Sequence, residues 1–131
     1  MKRYAQLSTL PAYQIDDLHG ICTVRLEIAA LNAKFPKRDQ RAIHDVIASR
    51  SSVVVDFTDV ETIDTGGLDI ILNWISASRT AGTKFCFTHC APPVLLILQL
   101  LRIPKEVPVL DGFEEAAEFI GLSRVKVQRA G

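Results

Sequence analysis

A buried strand, a tight turn and a helix follow one another within residues 53–75, and this succession constrains the fold more than any other feature. Val53-Val54-Val55-Asp56-Phe57 is a β-branched run of strand length, typical of a central strand that is covered on both faces. After the turn Ile63-Asp64-Thr65-Gly66-Gly67, apolar residues recur at helical spacing, at Leu68, Ile71, Leu72 and Ile75. Because the strand leads directly into a helix, we expect a mixed or parallel sheet with helices packed on it.

The neighbouring segments continue the alternation of strands and helices. Residues 13–28 carry alternating apolar residues with a break at His19-Gly20, which predicts a hairpin or two short strands. The apolar spacing over residues 42–47 predicts an amphipathic helix that Ser51-Ser52 ends. Ala81-Gly82 ends the helix after the tight turn, residues 84–89 form a strand, and Pro92 or Pro93 begins a further helix.

Two elements complete the predicted domain. Residues 107–110 form a short strand, and residues 113–120 form a closing helix with Gly121 at its end. The basic residues 124–129 are either a frayed tail or a short edge strand. We therefore predict a single α/β domain with a mixed β-sheet of four to five strands and about four α-helices. Its core lies at about residues 13–121, with terminal extensions at 1–12 and 122–131.

Charge and hydropathy narrow the class of function. Fifteen Lys and Arg balance fifteen Asp and Glu, so no global field attracts nucleic acid or anionic lipid. The apolar run Val94–Leu98 is far shorter than the roughly 20 residues that span a bilayer. Met1–Leu10 lacks the apolar core of a secretory signal, and three cysteines suggest no disulfide framework. We expect a cytoplasmic protein without direct membrane insertion, whose mean hydropathy of +0.19 indicates an apolar surface for a protein partner.

The common templates of enzyme and metal sites do not occur in the sequence. There is no phosphate-binding loop, dinucleotide-binding fingerprint, nucleophile elbow or H-E-x-x-H pattern. His19, His44 and His89 lie in different elements, and a strand would point Cys86 and His89 to opposite sides. We therefore expect no catalytic residues, no metal site and no cofactor.

The hydroxyl of Thr65 permits two interpretations. In the structural one, Thr65 lies at or next to the N-cap and accepts from free backbone N–H groups, while Gly66 and Gly67 permit a tight turn. In the functional one, the positive end of the helix dipole stabilises a phosphate on Thr65, so that modification keeps the fold and changes the surface. Asp64 and Asp69 would add to that negative charge, which would expel an acidic or apolar partner.

Two helices carry more apolar residues than one buried face needs. Leu68, Ile71, Leu72 and Ile75 form the predicted core stripe, whereas Ile70 and Trp74 point partly away from it. Trp74 lies either under the neighbouring helix or at an interface with a partner. The helix containing Val94–Leu98 and Leu100-Leu101 is apolar on all sides, so it is either buried or contacts another protein on its outer side.

These residues resemble the STAS domain family, whose founding members are bacterial anti-sigma factor antagonists. The resemblance covers roughly residues 15–120, and its most specific part is Val53–Val60 followed by Ile63–Leu68. This part is similar to the family's strand, its Asp-Ser-[Ser/Thr]-Gly phosphorylation loop and its following helix. Asp64 matches the loop aspartate, Thr65 the phosphorylated serine and Gly67 the loop glycine, whereas Gly66 departs from the second Ser or Thr.

The resemblance implies a STAS-type domain that acts as a non-enzymatic anti-sigma factor antagonist in bacterial transcription regulation. A partner anti-sigma factor with serine kinase activity would phosphorylate Thr65, and the sequence leaves open whether the chain is also a homodimer. The implied partner-binding residues are Asp64, Thr65, Gly66, Gly67, Asp69, Ile70 and Trp74.

A second branch of the family is also similar to this chain. Its members are small STAS subunits that bind the ATPase of phospholipid-transport ABC complexes, and they resemble this chain in Asp-Thr-Gly-Gly-Leu and in an apolar helix that carries a tryptophan. In that alternative Thr65 is a contact residue and not a phosphoacceptor. Residues 113–117 look more like the sigma-regulatory branch, which favours the first hypothesis.

Overall fold

The computed structural model describes the backbone of residues 10–130 and the side chains of residues 10–121. Strands β1 (Tyr13–Leu18) and β2 (Ile21–Leu26) form an antiparallel hairpin. His19 and Gly20 between them both have positive φ, 53° and 79°, as a two-residue type I′ turn requires. The predicted hairpin across residues 13–28 is therefore confirmed.

Three further strands, β4 (Ser52–Asp56), β6 (Lys84–Thr88) and β7 (Val109–Leu110), are each parallel to their neighbours. With the hairpin they form a five-stranded mixed sheet of order β1-β2-β4-β6-β7. Two short strands, β3 (Ala30–Leu31) and β5 (Thr62–Ile63), pair in parallel outside this sheet. The predicted α/β class and the size of the sheet are confirmed.

Within residues 10–130, four α-helices cover the sheet, and a 3₁₀-helix spans Ile103–Lys105. Helices α1 (Lys37–Ser49), α2 (Thr65–Ala81) and α3 (Pro92–Leu100) connect successive parallel strands, so right-handed crossovers place all three on one face. Helix α4 (Phe113–Ala130) follows the last strand and packs on the other face. As predicted, α2 ends at Gly82, whose φ of 73° is left-handed, and prolines begin α3.

The two faces of the central strand belong to separate parts of the core. Val53 and Val55 point towards α1, α2 and α3, whereas Val54 points towards α4. The neighbouring β6 repeats the pattern, with Phe85 and Phe87 on the first face and Cys86 on the second. All three valines are fully buried, as the β-branched run predicts.

The predicted end of the last helix at Gly121 is wrong. Helix α4 continues to Ala130, so the backbone of residues 124–129 is helical and is neither a frayed tail nor an edge strand. A single glycine costs a helix only about 1 kcal/mol relative to alanine and does not end it by itself. Residues 1–9, most of the predicted N-terminal extension, lie outside the described residues.

Within residues 10–130, no helix combines the length and the apolar character needed to cross a membrane.

Candidate functional site

Asp64 forms the N-cap of α2. Its Oδ1 accepts a hydrogen bond from the backbone N–H of Gly67 at 2.9 Å, and its carbonyl accepts from the N–H of Leu68. Thr65 is the first helical residue. The interpretation that Thr65 caps the helix is therefore wrong, because Asp64 has the extended backbone of a cap residue and its carboxylate reaches the N–H three residues on.

The Thr65 hydroxyl is thus available at the surface. Thr65 is exposed, and among the residues that the structure describes it donates no side-chain hydrogen bond and accepts none. Its position at the first turn of a 17-residue helix is one where a phosphate is stabilised by backbone N–H groups and the helix dipole. A modification of Thr65 would leave the cap formed by Asp64 in place.

Gly66 and Gly67 let α2 begin in close contact with the chain after β3. A Cβ on Gly67 would lie 2.7 Å from the carbonyl carbon of Leu31 and still closer to its oxygen. A Cβ on Gly66 would lie 2.7 Å from the backbone nitrogen of Ala33 and 2.9 Å from its Cβ. A larger residue at either position would displace backbone, so the departure of Gly66 from Ser or Thr has a steric cause in this chain.

Two carboxylates lie close to Thr65 on α2. Asp64 and Asp69 are both exposed, and neither forms an ion pair within the described part of the chain. Asp69 follows Thr65 by four residues and therefore lies one turn further on the same side of the helix. A phosphate on Thr65 would face this carboxylate across one helical turn.

The prediction that Ile70 and Trp74 point partly away from the core is wrong. They are 4% and 1% exposed, and the Trp74 indole N–H donates to the carbonyl of Gln40 in α1 at 3.2 Å. The Trp74 ring also meets the Phe35 ring edge-on, with 6.2 Å between centroids. The sheet and α1 both cover α2, so the buried part of its circumference includes Ile70 and Trp74. The side chains of these two residues have almost no surface that a partner could contact.

The small residue Ala77 is the sequence signal that would have predicted the burial of Trp74 under α1. Ala77 is buried and lies three residues after Trp74, on the side of α2 that α1 approaches. A small residue beside a large aromatic one permits the close approach of a second helix. The side chains that remain exposed among the predicted partner-binding residues are Asp64, Thr65 and Asp69, whereas Gly66 is half-buried and Gly67 is buried.

Exposed apolar side chains lie at other positions of α2 and on α3, and also at Leu10, Ile15 and Leu18 on and before β1. Leu72, predicted in the core stripe, is 49% exposed, while Ile71 and Ile75 are buried as predicted. On α3, Val94 and Leu98 are buried, whereas Leu96 and Leu100 on its other side are exposed, as is Leu101 directly after the helix. We name these three exposed leucines the α3 face. Helix α3 is therefore not buried on all sides, and the contact of its outer side with another protein stays a prediction.

Thr65 shares one side of α2 with two leucines. Leu68, half-buried, follows it by three residues, and Leu72 follows it by seven, which places all three along the same helical stripe. Because α2 and α3 lie in the same helical layer, Leu72 and the α3 face both belong to the outer surface of that layer. An exposed hydroxyl and an apolar surface thus occur together on one side of the domain.

Other reactive side chains are held in structural roles. Burial raises the pKa of the Cys86 thiol to about 12, and burial with the nearby charge of Asp56 raises the pKa of Cys90 to about 12. Both thiols are therefore protonated at neutral pH and are weak nucleophiles. The Nδ1 of His89 lies 3.3 Å from Asp56, whose Oδ1 also accepts from the Thr58 N–H. No group of three or more His, Cys, Asp or Glu within the described range could hold a metal ion.

Comparison with known proteins identifies the fold. The family model of the STAS domain matches residues 11–116. The structure is similar to that of a candidate anti-sigma factor antagonist from Thermotoga maritima, with a TM-score of 0.70 and 21% identity over 81% of this chain and 92% of that one. No curated protein matches the sequence.

Two further similar structures belong to proteins that are described differently from each other. The phosphorylated form of the Bacillus cell fate determinant SpoIIAA has a TM-score of 0.63 and 16% identity, over 87% of this chain and 99% of that one. A sulfate transporter family protein from Wolinella succinogenes has a TM-score of 0.69 and 14% identity, over 82% and 89% of the two chains. With its central strand, its capped turn at Asp64 and a family match that spans most of its length, the chain belongs to the STAS domain family.

Proposed function

We propose that this STAS domain is a non-enzymatic protein-binding module of the anti-sigma factor antagonist type, controlled by phosphorylation of Thr65. The observation that carries the proposal lies at the start of α2, where Asp64 caps the helix and the exposed hydroxyl of Thr65 has no hydrogen-bond partner among the described residues. A phosphate on Thr65 would leave the fold intact and add charge to the surface.

The apolar surface beside Thr65 supplies the docking site in this proposal. Leu72 and the α3 face present large aliphatic side chains that are 49% to 71% exposed. A partner that covers Leu72 also approaches Thr65, which lies two turns earlier on the same side of α2. Because a phosphate is costly to desolvate, its addition next to Asp64 and Asp69 weakens binding.

Relatives of the same fold support this type of function. The similar structures include proteins described as anti-sigma factor antagonists, and SpoIIAA is described in both an unphosphorylated and a phosphorylated form. By analogy, the partner of this chain is an anti-sigma factor that acts as a kinase in the bacterial cytoplasm. The unmodified domain binds that partner, and the phosphorylated domain is released.

Phosphate mapping tests the proposal. The protein is incubated with its cognate anti-sigma kinase and ATP, and mass spectrometry locates the phosphate. We expect one phosphate on Thr65, none on the Thr65→Ala variant, and normal modification of the Thr80→Ala variant, in which an exposed threonine further along α2 is removed. Intact partner binding with an unmodified Thr65 contradicts the switch.

A second candidate function is a constitutive STAS subunit that binds the ATPase of a phospholipid-transport ABC complex. Its support is Gly66, where the contact with Ala33 leaves no room for the second hydroxyl of the phosphorylation loop. In this alternative Thr65 is a contact residue, and the α3 face seats against the ATPase. Purification of the native complex separates the two candidates, because a co-purifying ATPase with membrane components overturns the anti-sigma proposal.

A further inference from the structure

We propose a second binding site, the groove between α1 and α2, for an acidic helix of a protein partner. The groove has a volume of about 720 Å³ and runs along both helices, from Lys37 beside Ile70 to Ala48 beside Ala81. It does not include Thr65, Leu72 or the α3 face. The proposal therefore concerns a surface separate from the one that the proposed function uses.

Two cations, Lys37 and Arg41, lie one turn apart on the α1 wall of the groove. His44 follows them, and its Nδ1 lies 3.6 Å from Oδ1 of Asp45, the only carboxylate in the lining. Within the described residues, the side chains of Lys37 and Arg41 form neither an ion pair nor a hydrogen bond. Most other described arginines are paired with carboxylates, namely Arg25, Arg38, Arg50 and Arg79.

The α2 wall is polar and neutral. Asn73, Ser76 and Thr80 line it, all three exposed and again separated by about one helical turn. The floor includes Trp74, which is 1% exposed and has its indole N–H bonded to α1. Because Trp74 is buried, its ring cannot stack on a nucleotide base. The groove combines cations on α1 with neutral hydrogen-bonding groups on α2.

The arrangement of the cations selects an extended acidic ligand over a small anion. A phosphate site needs donors that converge on one point, whereas Lys37 and Arg41 are about 6 Å apart along α1 at 1.5 Å per residue. Glutamates one turn apart on a helix repeat at the same interval as Lys37 and Arg41. An acidic helix laid along the groove would pair with successive cations while its backbone passes over the small side chain of Ala77.

A designed peptide and the single tryptophan of the chain provide the test. The probe is an alanine-based helical peptide of about 20 residues, long enough to be helical alone, with glutamates along one face. Because Trp74 is the only tryptophan and forms part of the floor, its fluorescence reports occupancy of the groove. We expect saturable binding that weakens as salt rises from about 0.01 M to about 0.15 M and the screening length falls to about 8 Å.

Matched variants locate the binding. Arg41→Glu is expected to weaken binding by about tenfold or more, since a buried or partly buried charge pair becomes repulsive. Arg41→Gln removes the charge alone and should have a smaller effect in the same direction. Lys105→Glu reverses an exposed lysine outside the groove and should leave the affinity unchanged.

Three results overturn the proposal. The first is the absence of peptide binding at low salt while the variants and the parent protein remain folded by circular dichroism. The second is equal binding of a control peptide in which lysines replace the glutamates. The third is saturable binding of inorganic phosphate at the groove without binding of the acidic peptide, which would assign a small-anion site.

Discussion

The carboxylate of Asp64 accepts a hydrogen bond from the backbone N–H of Gly67 at 2.9 Å, and this contact frees the neighbouring Thr65 from capping α2. The same turn therefore contains one residue that stabilises the helix and one that is available for modification. Stability and partner binding are separable at this site by single substitutions.

Removal of the cap is expected to cost more than removal of the hydroxyl. Asp64→Ala should lower the free energy of unfolding by about 1 kcal/mol, because the N–H of Gly67 loses its acceptor. Thr65→Ala should lower it by only a few tenths of a kcal/mol, as for an exposed residue without a special contact. Urea denaturation measures both, and an equal loss for the two variants would return Thr65 to the role of cap.

A negative charge at Thr65 is expected to weaken partner binding without unfolding the domain. Thr65→Glu places a carboxylate four residues before Asp69, whereas Thr65→Ala adds no charge, so only the first should reduce affinity. Thr80→Glu adds the same charge further along α2 and serves as the control. Calorimetry with the co-purified partner gives the affinities, and the same affinity for Thr65→Glu and Thr65→Ala would argue against a switch.

Restoring a serine at position 66 is expected to destabilise the protein. The Cβ in Gly66→Ser would meet the backbone of Ala33, and such overpacking costs about 1–3 kcal/mol. Gly121→Ala is the contrasting variant, because its Cβ would meet no atom of the described residues within 4 Å and alanine is the better helix former. Thermal unfolding should move in opposite directions for the two variants, and a stabilising Gly66→Ser would show that the contact with Ala33 yields easily.

Substitutions of Trp74 and Leu72 are expected to have opposite effects, the first on stability and the second on partner binding. Trp74→Ala should cost about 3–5 kcal/mol, as truncation of a buried aromatic residue does. Leu72→Ser, at a position that is 49% exposed, should leave the free energy of unfolding nearly unchanged and reduce partner binding. Unfolding and binding curves measured on the same samples compare the two effects. Asn73→Ser, an exposed position on α2, is the control.

Alkaline pH is expected to destabilise the protein through its buried thiols. Burial raises the pKa of Cys86 from 9.0 to about 12, so between these values the folded state holds a proton that the unfolded state has lost. Stability from this group is therefore complete below pH 9 and declines as pH rises towards 12. Cys86→Ala should make the free energy of unfolding fall less steeply over this range, and an unchanged slope would mean that the thiolate is tolerated in the fold.

The elements that the sequence predicts well are those with local signals. Val53-Val54-Val55 is strand-forming wherever it lies, Gly82 permits the left-handed residue that ends α2, and Pro92 suits only the first turn of a helix. Each of these local structures depends on residues that are adjacent in the chain.

The orientation of α2 depends on distant residues and could not be predicted in the same way. Trp74 is buried because its indole reaches Gln40, 34 residues earlier, and no periodicity within α2 indicates that neighbour. The identity of the cap is a similar case. Aspartate and threonine are both good N-cap residues, and Asp64 takes the position because its own N–H is bonded to the carbonyl of Leu31 in the adjacent short strand.

The packing of Gly66 against Ala33 also limits how much information this turn can carry. With no side chain at position 66, the turn has a single hydroxyl, on Thr65, so it would accept at most one phosphate per molecule. Each molecule would then exist in only two states at this turn, and a graded cellular response would depend on the fraction of molecules modified.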